Sequence, residues 1–214
     1  MLPRIPPVTQ ALMIANGLAF LLQRYVFGDV LLANFMLWPP GGEASGGYGF
    51  MPWQLLSYGF LHGSWTHLLF NMLALYMFGS PLEYVWRGRR FLTYFLVCVA
   101  GAGVLQLAVG AWALAQGGEA YPTVGASGGV FGLLLAYAML FPEQRVMLLF
   151  PPIPMKARTF VILYGLTELV LGFNGWQPGV AHFAHLGGML FGWLLIRYWR
   201  GQAPFGRHGP RRRT

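Results

Sequence analysis

The sequence predicts an all-α membrane protein: a bundle of six transmembrane helices with both termini cytoplasmic. Three observations predict it. Of 214 residues, 56% are hydrophobic and 9% charged, against a usual charged share of about 25%, so the chain cannot cover itself with a polar surface and lipid must solvate it. Six apolar segments, residues 8–27, 53–78, 91–114, 123–141, 155–173 and 180–199, each approach the ~20 residues that cross a hydrocarbon core. Thirteen of the fourteen Lys and Arg residues fall on one side of the bundle these segments define, which by the positive-inside rule is the cytoplasmic side.

The elements follow in order. The first segment has a poor signal-peptide start and no small-residue cleavage site after it, so it reads as a retained span. Only Arg24, near its outer end, breaks the charge pattern. The connection at residues 28–52 mixes glycines and prolines with Phe35, Met36, Leu37 and Trp38, as suits a loop partly sunk in the outer leaflet. The second segment carries His67 and Asn71 at i and i+4, on one helical face. Arg87, Arg89 and Arg90 mark the inner turn to the third, which holds Cys98, the only cysteine. A disulfide framework and a cysteine metal cluster are thereby excluded.

The fourth segment contains a serine in a glycine tract, Gly125 Ala126 Ser127 Gly128 Gly129 Val130 Phe131 Gly132, and the sixth contains His185 in Ala184 His185 Leu186 Gly187 Gly188 Met189 Leu190 Phe191 Gly192. A nucleophile and a general base on separate helices, each flanked by glycines that let backbones approach, point to a hydrolase inside a bilayer. Both segments start from the outer side. Ser127 and His185 are each expected four to five residues in, at roughly 6–8 Å depth at 1.5 Å per residue, within reach of water. Gly128 and Gly132, and Gly188 and Gly192, are small-xxx-small pairs expected to bring the two helices together. A glycine zipper with an incidental serine explains Ser127 alone, but not its match in depth with His185, His67 and Asn71.

Residues 141–158 read as an inner surface connection, and residues 172–179 as a turn-rich loop before the histidine segment. His182 precedes His185 by three residues and reads as an interfacial hydrogen-bonding residue on a neighbouring face. His62 is expected to support the first outer loop. Glu83 reads as an ion pair with nearby arginines or a helix-end ligand. Glu168, ionisable and within a span, is a functional candidate by default or a hydrogen-bonded structural group. Residues 1–200 form one membrane domain and residues 201–214 a basic cytoplasmic tail. The net charge of +8 sits between spans and in the tail, where it faces anionic lipid, so nucleic acid is not an expected partner.

At His67 Leu68 Leu69 Phe70 Asn71, at Gly125 Ala126 Ser127 Gly128 and at Ala184 His185 Leu186 Gly187 Gly188 with Gly192, the chain resembles the rhomboid family of intramembrane serine proteases, over nearly its whole length. That resemblance implies Ser127 as nucleophile and His185 as base. It implies His67, Asn71 and the Ser127 backbone N–H as an oxyanion hole, and Gly125 as the glycine that leaves room for the substrate backbone. Phe131 would pack on the His185 ring, and residues 172–179 would be a cap loop. The first outer loop lacks the family's Trp-Arg pair. With Asp29 the only aspartate, the unit is expected to be a dyad. No metal or cofactor is expected. The implied partners are transmembrane protein substrates, cleaved near the outer ends of their helices, and membrane lipids; the expected location is a bacterial inner membrane.

Counting disposes of other intramembrane chemistries: a His-Glu-x-x-His zinc motif is absent, and an aspartyl mechanism needs two aspartates. A catalytically silent rhomboid-like protein that binds transmembrane helices is the alternative. A transporter is disfavoured by the lack of an inverted repeat.

Overall fold

The computed structural model describes residues 4–41, 48–118, 121–147, 152–174 and 181–202. The chain begins with α1 (Pro7–Leu22), which Pro7 opens at a position where its missing N–H costs nothing. A π-helical turn (Gln23–Phe27) leads to α2 (Gly28–Phe35), with Gly28 at φ +46° marking the bend. The helical stretch from Pro7 to Phe35 is therefore longer than the first apolar segment.

The second segment starts later than residue 53. After a short α3 (Gln54–Ser57) and a 3₁₀ turn (Tyr58–Phe60), the chain turns through Leu61, His62 and Gly63, and α4 (Trp65–Ala74) begins where the Ser64 hydroxyl accepts the His67 N–H at 3.1 Å. A π-helical turn (Leu75–Gly79) then absorbs Pro81, whose ring and missing N–H would break a regular ladder. Helix continues as α5 (Ser80–Ala115), broken inside at Arg87 by φ 63° and ψ 162°, a region other residues leave to glycine. The chain folds back on itself there, since Gly79 lies against Phe91, Gly59 against Val99, and Gly103 against Leu55 and Tyr58.

Then come α6 (Ser127–Leu140), an antiparallel ribbon β1 (Arg145–Met147) and β2 (Pro154–Lys156), α7 (Ala157–Asn174) and α8 (His182–Trp199). The ribbon and an isolated antiparallel bridge between Leu37 and Thr123 are the β-type pairings in an otherwise helical chain among the described residues. It fills the connection read at residues 141–158, and Glu143 joins Lys156 at 2.6 Å and Arg158 at 3.0 Å beneath it. Among the described residues two helical stretches contain a run long and apolar enough to cross a membrane, Pro7–Phe35, bent at Gly28, and Trp65–Ala115, folded at Arg87; Ser127–Leu140 is apolar but shorter. The loop expected at residues 172–179 lies mostly outside the described residues, as does the tail beyond residue 202.

The centre of the molecule is the α5–α6–α8 contact. Phe91, Tyr94, Phe95 and Cys98 of α5 and Leu133 and Ala136 of α6 are fully buried. Buried tyrosines tie the layers with their hydroxyls: Tyr58 donates to the Val99 carbonyl and Tyr94 to that of Gly132, both at 2.8 Å. Glu83 proves to be a helix-end ligand. Its carboxylate accepts the Val8 N–H at 2.9 Å, the Thr9 N–H at 2.6 Å and the Thr9 hydroxyl at 2.7 Å, which satisfies orphan donors at the N-terminus of α1 and meets its positive dipole end.

Candidate active site

Ser127 is the first residue of α6, not one about four residues into it. The reason is Gly125: at φ +127° it holds a backbone conformation that side chains disfavour and no helix continues through. A Cβ there would also stand 2.7 Å from His67 Cε1 and 2.8 Å from its Nε2. Glycine thus serves two ends, turning the chain into α6 and letting the His67 imidazole close over the turn. The Gly125 N–H is held by the Tyr58 carbonyl at 2.9 Å. As the helix starts at Ser127, the first amides of α6 have no intrahelical acceptor and carry the positive end of the helix dipole.

His185 is the fourth residue of α8, and its Nε2 lies 2.9 Å from Ser127 Oγ. The approach depends on glycine. A Cβ on Gly188 would stand 2.7 Å from the carbonyl carbon of Gly128 and 3.2 Å from its Cα, with the carbonyl oxygen closer still. The other small residues face α5 as much as each other: Gly128 meets Ala102, Gly132 meets Cys98 ahead of the Gly188 carbonyl, and Gly192 meets Tyr94 and Cys98. The expected α6–α8 zipper is therefore a three-helix junction, in which Gly192 accommodates α5 instead of α6. Phe131 stacks on the His185 ring at 4.1 Å between centroids and 5° between planes, and Tyr164 of α7 stacks on Phe131 at 5.2 Å.

His67 and Asn71 lie on α4, whose His67 ring reaches Gly125. The Gly63 N–H points to His67 Nδ1 at 3.4 Å, an arrangement that leaves the ring proton on Nε2, the nitrogen turned to Gly125. Asn71 is buried and gives one amide hydrogen to the His67 carbonyl at 3.0 Å; its second remains. His62 is buried against His67 with 5.0 Å between ring centroids, and its backbone is clasped by the Gln23 side chain, which donates to the His62 carbonyl at 2.7 Å and accepts its N–H at 3.1 Å. A cavity of about 380 Å³ opens beside Val124, lined by Phe20, Leu32, Met36 and Trp65 together with Arg24, the one basic residue outside the charge pattern.

Two features were not assembled from the sequence. First, Glu168 of α7 is buried with His182 and His185, and its Oε2 lies 2.7 Å from His182 Nδ1 and 2.9 Å from His185 Nδ1. His182 is thus not on a face apart from His185. The i, i+3 spacing stacks the two on one side of α8, and the expected two-residue unit has a carboxylate behind its base. Second, the first loop is braced through Gln54, buried and bonded to the Trp38 N–H at 3.2 Å, and through the Leu37–Thr123 bridge, whose two N–H···O bonds are each 3.0 Å. The signal for Glu168 was its charge within an apolar span; nothing in the sequence marked Gln54.

Glu168, His182 and His185 form a donor set, one carboxylate oxygen and two imidazole nitrogens within 4.8 Å of one another, of the type that binds zinc. Both nitrogens, however, meet a single oxygen at 2.7 and 2.9 Å, closer than the about 3.3 Å that separates ligands around a tetrahedral ion with 2.0–2.1 Å bonds. Hydrogen bonds describe the cluster better than coordination.

Residues 49–201 match the Rhomboid domain family. Among curated proteins the chain is similar to RHOMBOID-like protein 4 of Arabidopsis thaliana, 36% identical over 143 residues, which is 67% of this chain and 33% of that protein. It is also similar to the human presenilin-associated rhomboid-like protein, mitochondrial, 29% identical over 154 residues, 68% of this chain and 38% of the relative. Rhomboid protein 1, mitochondrial, of Saccharomyces cerevisiae is 28% identical over 150 residues, 67% of this chain and 42% of its own. The matches thus span from a third to about two fifths of these relatives. With the family match running from the end of the first loop to the end of α8 and covering His67, Asn71, Gly125, Ser127, Glu168, His182 and His185, the chain belongs to the rhomboid family of membrane proteins.

Proposed function

We propose that the protein is an intramembrane serine endopeptidase that cleaves single-pass membrane proteins in or near their transmembrane helices. One observation carries the reading: Ser127 Oγ and His185 Nε2 are 2.9 Å apart at the N-terminus of α6, with the His67 ring over Gly125. Ser127 Oγ attacks the scissile carbonyl carbon while its proton passes to His185 Nε2. Negative charge that develops on the carbonyl oxygen meets the Ser127 N–H, His67 Nε2–H and the free Asn71 hydrogen, in a site of low dielectric where such donors count most. Collapse breaks the C–N bond, and the proton moves from His185 to the leaving amine. A water molecule then repeats the sequence on the acyl-Ser127 ester and frees the enzyme.

Gly125 has no side chain to obstruct an extended substrate strand beside the nucleophile. The bond must be extended, because in a helix the carbonyl is already hydrogen-bonded and shielded. Six crossings with both termini cytoplasmic belong to the same proposal. They are supported by the charge pattern and by the reversal at Arg87, which divides Trp65–Ala115 into two antiparallel arms. A bacterial plasma membrane is proposed as the location; of the relatives above, two are mitochondrial by name. The test is to incubate the protein in liposomes with a panel of transmembrane substrates and a fluorophosphonate probe. Cleavage and labelling that both vanish in folded Ser127→Ala support the proposal, and cleavage that survives in it refutes it.

A further inference from the structure

We propose that Glu168 is the positioning residue of the His185 base, so that Ser127, His185 and Glu168 act as one hydrogen-bonded chain, with His182 as the clamp that aims the carboxylate. The inference rests on the hydrolase reading above and deepens it.

The geometry supplies each link. Ser127 Oγ to His185 Nε2 is 2.9 Å, His185 Nδ1 to Glu168 Oε2 is 2.9 Å, and His182 Nδ1 to the same Oε2 is 2.7 Å. A neutral imidazole carries its proton on one nitrogen only, and the partner of the other nitrogen decides which. An ionised carboxylate only accepts, so it holds the His185 proton on Nδ1 and leaves the Nε2 lone pair to face the serine O–H. Without it, the tautomer with Nε2–H would donate to Ser127 Oγ and leave no base. The charge does further work: when His185 takes the serine proton, the imidazolium forms 2.9 Å from a carboxylate instead of in bare low dielectric.

The second histidine has a definite task. Both Nδ1 atoms converge on one oxygen, which an ionised carboxylate meets by accepting twice. His182 is 5% exposed and Glu168 5%, so the carboxylate is removed from water and needs such donors to remain charged. Phe131, stacked on His185 at 4.1 Å, holds the ring plane, while Glu168 sets its rotation within that plane. The carboxylate comes from α7 and both histidines from α8, so the unit forms only when those helices pack.

The test compares Glu168→Gln with the wild type in liposomes, reading kcat, KM, the rate of fluorophosphonate labelling at Ser127 and the thermal midpoint. Gln keeps size and shape but removes the charge and offers an amide that can face either nitrogen. Loss of the carboxylate behind a catalytic histidine, or behind a ligating one, costs between about 10- and 10⁴-fold in known sites. Here kcat and the labelling rate are expected to fall together by on the order of 10²-fold, with KM within twofold and the midpoint little changed. A purely structural role changes the midpoint and the folded fraction but not the rate per folded molecule. His182→Ala, which leaves the His185 bond in place, is expected to cost only a few-fold. Folded Glu168→Gln that labels and turns over within twofold of wild type overturns the positioning role and leaves the serine mechanism standing. Wild type that neither labels nor cleaves overturns the hydrolase reading itself.

A measurement on the unaltered protein is independent of how any variant folds. Nitrogen-15 NMR of labelled His185 at neutral pH is expected to show Nδ1 protonated and Nε2 bare. The opposite tautomer refutes the proposal.

Discussion

Replacing Gly188 with alanine adds one methyl group at the closest approach of α6 and α8, and the consequence for the site is calculable. Ordinary van der Waals contact begins near 3.4 Å, whereas the new Cβ would stand 2.7 Å from the Gly128 carbonyl carbon. That carbon alone demands a retreat of about 0.7 Å, and the oxygen about twice as much, against backbone that has no flexible end to give. Gly128 adjoins Ser127 and Gly188 lies one turn below His185, so the separation is transmitted almost directly to the reacting pair. A 2.9 Å hydrogen bond stretched by 0.7 to 1.4 Å reaches or passes the roughly 3.5 Å at which it ceases to be one. Misplacement by about 1 Å typically costs 10²-fold in rate, and overpacking costs about 1–3 kcal/mol in stability. Gly188→Ala should therefore lose about 10²-fold in fluorophosphonate labelling and show a reduced thermal midpoint. Gly17→Ala is the control. Beyond its own stretch of helix backbone nothing lies within 4 Å of its Cβ position, so a helix-interior glycine is replaced by the best helix former with no clash and the midpoint should hold or rise. If Gly188→Ala labels at the wild-type rate, the glycine contact does not set the Ser127–His185 distance and the reasoning fails.

Other perturbations have equally definite outcomes. Ser127→Ala and His185→Ala should each abolish cleavage with circular dichroism unchanged, and mass spectrometry of the labelled wild type should find the probe on Ser127 alone. His67→Ala and Asn71→Ala should each lower kcat more than they raise KM, by up to the about 10²–10³-fold ascribed to an oxyanion donor, with the double variant worst; unchanged kcat in all three would remove these residues from the site. At the ribbon, the Lys156 ammonium hydrogen-bonded to Glu143, with Arg158 beside it, holds that carboxyl below its usual range. Its contribution is therefore fully present above the ordinary carboxylate pKa of 4.5 and is lost as pH falls through the depressed folded value. The protection factors of β1 and β2 amides, which remove the intrinsic pH dependence of exchange, should fall across that acidic window in the wild type and stay constant across it in Glu143→Gln.

Composition and residue pattern by themselves determined that this chain is helical and lives in lipid, because hydrocarbon offers backbone groups no partner but one another. They also singled out Ser127, His185, His67, Asn71 and the glycines around them, since a small-residue motif and an i, i+4 pair are local properties that survive without coordinates. Where the helices start depended on single residues with competing preferences: Gly125 at positive φ moved the start of α6 to Ser127, and the Ser64 cap moved that of α4 to Trp65. The strained Arg87 turn, the β1–β2 ribbon and the Gln54 brace of the first loop were likewise decided by what lay opposite them. So was the partnership of Glu168. In the sequence it was one charge in an apolar run, 14 residues from His182 and 17 from His185. Only the packing of α7 on α8 brought three buried polar groups to one point, because a carboxylate removed from water must find donors wherever the fold places them, and no local pattern records where that is.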